Sequence, residues 1–134
     1  MKHSLLFLLF AFLPFISMSQ KIHEMKEFKE LTDGHYTELL NLYKHFHANP
    51  ELSFQEKETS KRVAHELKKI GYEVTEGFGG YGVVALLENG EGPTVLIRAD
   101  MDALPIEEKT GLDYASKVKV TKEDGTVVSA MHAC

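Results

Sequence analysis

The spacing of apolar residues changes character several times along this chain, and each change marks a structural element. Tyr36, Leu39, Leu40, Tyr43 and Phe46 recur at helical spacing. They predict a helix that Thr32 or Asp33 caps and that ends near Ala48, because residues just before Pro50 avoid helical dihedrals. A second helix is predicted to open at Ser53, where Ser53-Phe54-Gln55-Glu56 fits a capping box. Its buried stripe is Val63, Ala64, Leu67 and Ile70. Lys68 and Lys69 complement the helix dipole in the last turn, and Gly71 is placed to end the helix.

Beyond Gly71 the period shortens. Tyr72 to Thr75 is short and β-prone. The glycines of Gly77 to Gly82 read as a flexible connection into a strand, since no Gly-Lys-Ser/Thr follows to cradle a phosphate. Val83 to Leu87 is the next strand, Asn89-Gly90 is a tight-turn signal, and Thr94 to Ala99 is expected to return as its hairpin partner. Within that return, Val95-Leu96-Ile97 reads as a buried strand that delivers Asp100 and Asp102 at its C-terminal edge, where open α/β sheets place ligands. Lys117 to Thr121 alternates polar and apolar, Asp124-Gly125 is a hairpin turn, and Thr126-Val127-Val128 leads back toward Met131-His132-Ala133-Cys134. Helices followed by strands and a hairpin make the fold class α/β.

The first residues obey a different rule. Met1-Lys2-His3 is basic, Leu5 to Ile16 is twelve residues of nearly unbroken Leu, Phe, Ala and Ile, and Ser17-Met18-Ser19 supplies small residues. This predicts a secretory signal peptide over 1–19, cleaved before Gln20, because twelve residues fall short of the roughly 20 that span a bilayer. Residues 20–35 read as a polar, mobile leader, with a short frayed helix over Gln20 to Asp33 as the alternative. The expectation is an exported protein, periplasmic or extracellular, without a stable membrane anchor. A formal net charge of -5 gives no basic footprint for nucleic acid, and a single cysteine allows no internal disulfide.

Few residues remain that could carry chemistry. Cys134 next to His132 is compatible with a buried apolar cysteine, a metal ligand or a nucleophile, since thiolate and neutral imidazole both bind zinc-like ions. Asp100 and Asp102 are two apart, so an extended backbone points both carboxylates to one side. Two ionised carboxylates repel unless a cation or proton lies between them, which favours a metal nearby; the alternative is a solvated loop. Arg98 is free to pair with Asp100 or Glu107. His45 and His47 lie on different helix faces, and His47 reads as structural.

Arg98-Ala99-Asp100-Met101-Asp102-Ala103-Leu104-Pro105, then His132-Ala133-Cys134, preceded by His47-Ala48-Asn49-Pro50-Glu51-Leu52-Ser53, resembles the metal-dependent amidohydrolases. That family includes N-acyl-amino-acid amidohydrolases, hippurate hydrolase and auxin-conjugate hydrolases. The resemblance runs from about Leu39 to Cys134. It implies that 36–134 is the N-terminal portion of a zinc-peptidase-like catalytic domain, truncated before the Gly-His-Asp with which the family continues. It also implies two divalent ions per complete site (zinc, manganese, cobalt or nickel) and a small N-acyl amino acid or peptide as substrate. By the same resemblance Cys134 is a metal ligand. Asp102 orients a ligand, while Asp100 and His132 stand beside the site. No residue matches the family's catalytic glutamate, so the chain alone is expected to be inactive. The competing reading is a non-catalytic, exported small binding module.

Overall fold

The computed structural model describes the backbone of residues 2–134 and the side chains of residues 25–134. The signal segment expected over 1–19 therefore lies outside the residues whose side chains are described. The chain divides into two compact units, Met1–Leu42 and Tyr43–Cys134. Helix α1 spans Lys2–Ala48 and stops where Pro50 requires. It runs straight through the expected cap. Thr32 Oγ1 donates to the Phe28 carbonyl 2.8 Å away, one turn back, and Asp33 pairs with Lys29, so neither residue ends a helix. Among the described residues no helix is long and apolar enough to cross a membrane.

Helix α2 spans Lys57–Lys69, three residues later than the capping box predicts, with Glu56 and not Ser53 at the cap position. Ser53 and Phe54 form a turn instead, with the Gln55 N–H on the Leu52 carbonyl at 2.9 Å and Phe54 at φ 63°. A left-handed residue there breaks the helical path. The free amides at the start of α2 are capped from outside by Glu51, whose carboxylate accepts from Glu58 N–H at 3.1 Å and Thr59 N–H at 2.7 Å. At the other end the sequence reading holds. Gly71, at φ 94°, donates to the Lys68 carbonyl and Tyr72 to that of Leu67, the paired bonds of a Schellman stop. The buried face of α2 is Thr59, Ser60 and Ala64, with Val63 and Leu67 half-buried; Ile70 lies outside it, exposed at the cap.

Strands β1 (Glu73–Phe78) and β2 (Gly82–Leu86) pair antiparallel, with a register shift between Glu76 and Phe78. At Gly82 a Cβ would stand 2.2 Å from the Phe78 carbonyl oxygen, so only glycine fits this turn. Lys68 reaches Glu76 at 2.6 Å and ties α2 to β1. A second hairpin joins β3 (Lys119–Thr121) to β4 (Val127–Ser129) through Asp124-Gly125, where Asp124 Oδ1 accepts the Thr126 N–H at 2.9 Å. Two helices followed by two hairpins confirm the α/β class.

The expected strand at Thr94 to Ala99 does not form. β2 takes β1 as its partner, and Val95, Leu96 and Ile97 are 79%, 89% and 88% exposed. A two-residue turn at Asn89-Gly90 needs positive φ at both positions. Gly90 has it at 92°, but Phe54 is the sole non-glycine residue with positive φ among the described residues, so Asn89 does not.

Candidate functional site

The segment after Asp100 is stitched to two other stretches by backbone bonds. Ala103 N–H donates to the Glu51 carbonyl at 2.8 Å, and Leu52 bridges Ala103 in parallel. Leu104 and Met131 exchange both of their bonds, at 2.9 and 3.0 Å. Pro50, Leu52, Ala103 and Ala130 are buried at this junction. The Pro-Glu-Leu, Asp-Ala-Leu and Met-His-Ala-Cys stretches, distant in sequence, thus meet in one place.

The two aspartates part company here. Asp102 is half-buried, and both its charge and its backbone act on the His132 ring. Asp100 is exposed and bonded to Arg98, the first of the two partners foreseen for that arginine. Glu107, the other, pairs with Lys109 at 3.5 Å. The shared pocket expected for both carboxylates needs a regular strand through 100–102. The chain gains its first backbone pairing only at Ala103, so alternation does not set the direction of Asp100.

His132 is the most informative side chain of the group. Its Nε2 is buried and has no hydrogen-bond partner. Burial pushes the ring below the ordinary histidine value and the charge of His47 adds to this, while a hydrogen bond to the Asp102 backbone and the Asp102 charge pull the other way. The net result is a neutral ring with an uncommitted buried nitrogen. Such a nitrogen is a potential acceptor or ligand atom. Cys134, two residues on, is a free and exposed thiol.

One pair was not foreseen. His47, 7% exposed, bonds through Nε2 to Glu108 Oε1 at 2.8 Å, and the Glu108 side chain is wholly buried. Thr110 Oγ1 donates to the same oxygen and Ser116 N–H to Oε2, both at 2.5 Å. His47 first, then Thr110 and Ser116, hold the Glu108 carboxyl down at about 2. The Tyr43 and Tyr114 rings stand 5.8 and 5.4 Å from His47, and Lys44 lies 5.0 Å over Tyr114. His47 is structural, as its context suggested. Nothing local in the sequence links it to a glutamate 61 residues away.

Among the described residues no three His, Cys, Asp or Glu side chains converge as a metal cage. The donors on hand are the Cys134 thiol, the unpartnered His132 Nε2 and the Asp102 carboxylate. They suit zinc-like ions in kind, and they are an incomplete set.

No protein-family model matches the chain. Comparison with curated proteins is more informative. Over 108 residues the chain is 44% identical to thermostable carboxypeptidase 2 of Saccharolobus solfataricus, covering 79% of this chain and 24% of that protein. It is 49% identical over 89 residues to hippurate hydrolase of Campylobacter jejuni, covering 66% and 21%. Among solved structures, the Bacillus subtilis protein YXEP, a dinuclear metal binding peptidase from the M20 family, superposes with a TM-score of 0.63 at 39% identity, covering 76% of this chain and 27% of that one. The chain spans about a quarter of the length of the curated relatives it matches. With its acidic and His-Ala-Cys motifs folded against each other as described, this chain belongs to the M20 family of metal-dependent amidohydrolases and peptidases.

Proposed function

We propose that these residues serve an exported amidohydrolase that cleaves the amide bond of N-acyl amino acids or small peptides, with Cys134 as a metal ligand. The observation that carries the reading is the Leu104–Met131 pairing. It sets Asp102 beside His132, from two separate motifs, with Cys134 two residues further along the chain. Cys134 would hold a divalent ion there, and that ion would supply Lewis-acid activation of the amide carbonyl and of water. Cys134 supplies a charged, soft donor, and Asp102 acts on the neighbouring imidazole. His132 lines the site with a neutral ring. Neither hydrolase among the relatives fixes the acyl group or the amino acid. Export rests on the basic start, the apolar run and Ser17-Met18-Ser19.

On this reading the 134 residues by themselves are inactive, because none of them matches the family's catalytic glutamate. The alternative is a non-catalytic exported binding module. Assay of the full gene product on N-acetyl and N-benzoyl amino acids, with metal content measured alongside, separates the two. Cys134→Ala is expected to lose both metal and turnover. Full metal occupancy and full turnover in Cys134→Ala would sink the assignment, and an unmodified gene product with neither favours the binding module.

A further inference from the structure

We propose that Glu108, anchored by His47 on one carboxylate oxygen, is a positioning residue for the His132–Cys134 segment and acts through Ser116 on the other. The inference rests on the reading of Cys134 as a metal ligand and adds a residue to it.

One oxygen of Glu108 leads to that segment and the other anchors the carboxylate. Oε2 accepts the Ser116 N–H at 2.5 Å, and Ser116 Oγ donates to the Ala130 carbonyl at 2.8 Å. Ala130 N–H in turn donates to the Val118 carbonyl at 3.2 Å, so Ala130 is gripped on both of its backbone groups. Met131 follows with both of its groups on Leu104, and His132 comes next. On the other side Oε1 holds His47 Nε2 at 2.8 Å, which anchors the carboxylate itself. Residues 130–132 are thus located by a chain of bonds that starts at one anchored carboxylate.

Stability alone is a poor explanation for this arrangement. A buried ion pair recovers its desolvation cost only with excellent geometry, and well-packed apolar residues often serve stability as well or better. Three donors converging on one carboxylate instead fix its position closely, and every atom it holds is fixed with it. A ligand set tolerates displacements of only about half an ångström, which is the demand that such support meets.

Two readouts on the full gene product test this. The first is nitrogen NMR of the His132 imidazole, which reports its surroundings without any metal. The second is cobalt affinity, read from the thiolate-to-cobalt absorption band. Glu108→Gln is expected to shift the His132 resonances and to weaken cobalt binding by about 10–100-fold. Ser116→Ala, which keeps the His47–Glu108 pair and cuts the link to Ala130, is expected to move both in the same direction. Glu58→Gln, at an exposed pair with Lys61, is the control and leaves both as in the unmodified protein. Should Glu108→Gln fail to fold, Ser116→Ala decides with the same readouts. Unchanged His132 resonances and unchanged cobalt affinity in the folded variants overturn the proposal. An unmodified protein that shows no thiolate band overturns the metal reading instead, and the His132 resonances still judge the role of Glu108.

Discussion

Asp100 and Asp102 stand two residues apart and belong to different kinds of structure. Up to Asp100 the chain from Thr94 is exposed and makes no backbone pairing, and its ion pair with Arg98 sits in water. Beyond Asp102 the chain is tied down at intervals: Ala103 to Glu51, Leu104 to Met131, Glu108 to His47 and Ser116. Hydrophobicity does not separate the two stretches, since Val95-Leu96-Ile97 is the more apolar. Partners do. A run of β-prone residues becomes a strand only where another edge accepts its amides, and here the accepted amides begin at Ala103.

The largest expected contrast is between two leucines. Leu52, 7% exposed at the junction, should cost about 2–5 kcal/mol on Leu52→Ala. Leu96, 89% exposed, should change stability by no more than about 0.5 kcal/mol on Leu96→Ala. Urea unfolding of the two variants checks this, and equal losses would erase the distinction between the stretches. Acid sharpens it next. The Glu108 carboxyl is depressed from 4.5 to about 2, chiefly by His47, so its contribution is complete above pH 4.5 and is lost as pH falls through about 2. Stability should therefore decline between those limits, and Glu108→Gln should flatten that part of the profile in thermal melts. The smallest effect belongs to the exposed side. Arg98→Ala removes a solvent-screened pair and should shift the unfolding free energy by less than about 1 kcal/mol, with the shift fading in added salt.

Local chemistry was legible wherever it depends on neighbours in sequence. Pro50 ending α1, Gly71 ending α2 and Asp124-Gly125 turning the second hairpin are all effects of a residue on its own few bonds. The capping box failed because a competing local structure, the Ser53-Phe54 turn, was as short in range and carried no distinct signal. Glu51 then capped α2 from a position that the box pattern does not consider. The motif residues Asp102, His132 and Cys134 stand out in the sequence as donor types. The meeting of Asp102 with His132 does not, because it passes through Leu104 and Met131, two apolar residues with no mark of pairing. The His47–Glu108 bond was hidden for the same reason.

The doubling of duty at Glu51 couples two loop closures. Its carboxylate serves α2 and its carbonyl serves Ala103, so one residue is a knot between a short loop and a long one. Once that knot is tied, His47 and Glu108 are no longer separated by 61 residues of free chain but by roughly ten along the shortened path. Loop closure scales with the logarithm of length, so the second closure becomes cheaper by about 1.5 kcal/mol. The two closures therefore support each other, since with either one in place the other spans a much shorter loop.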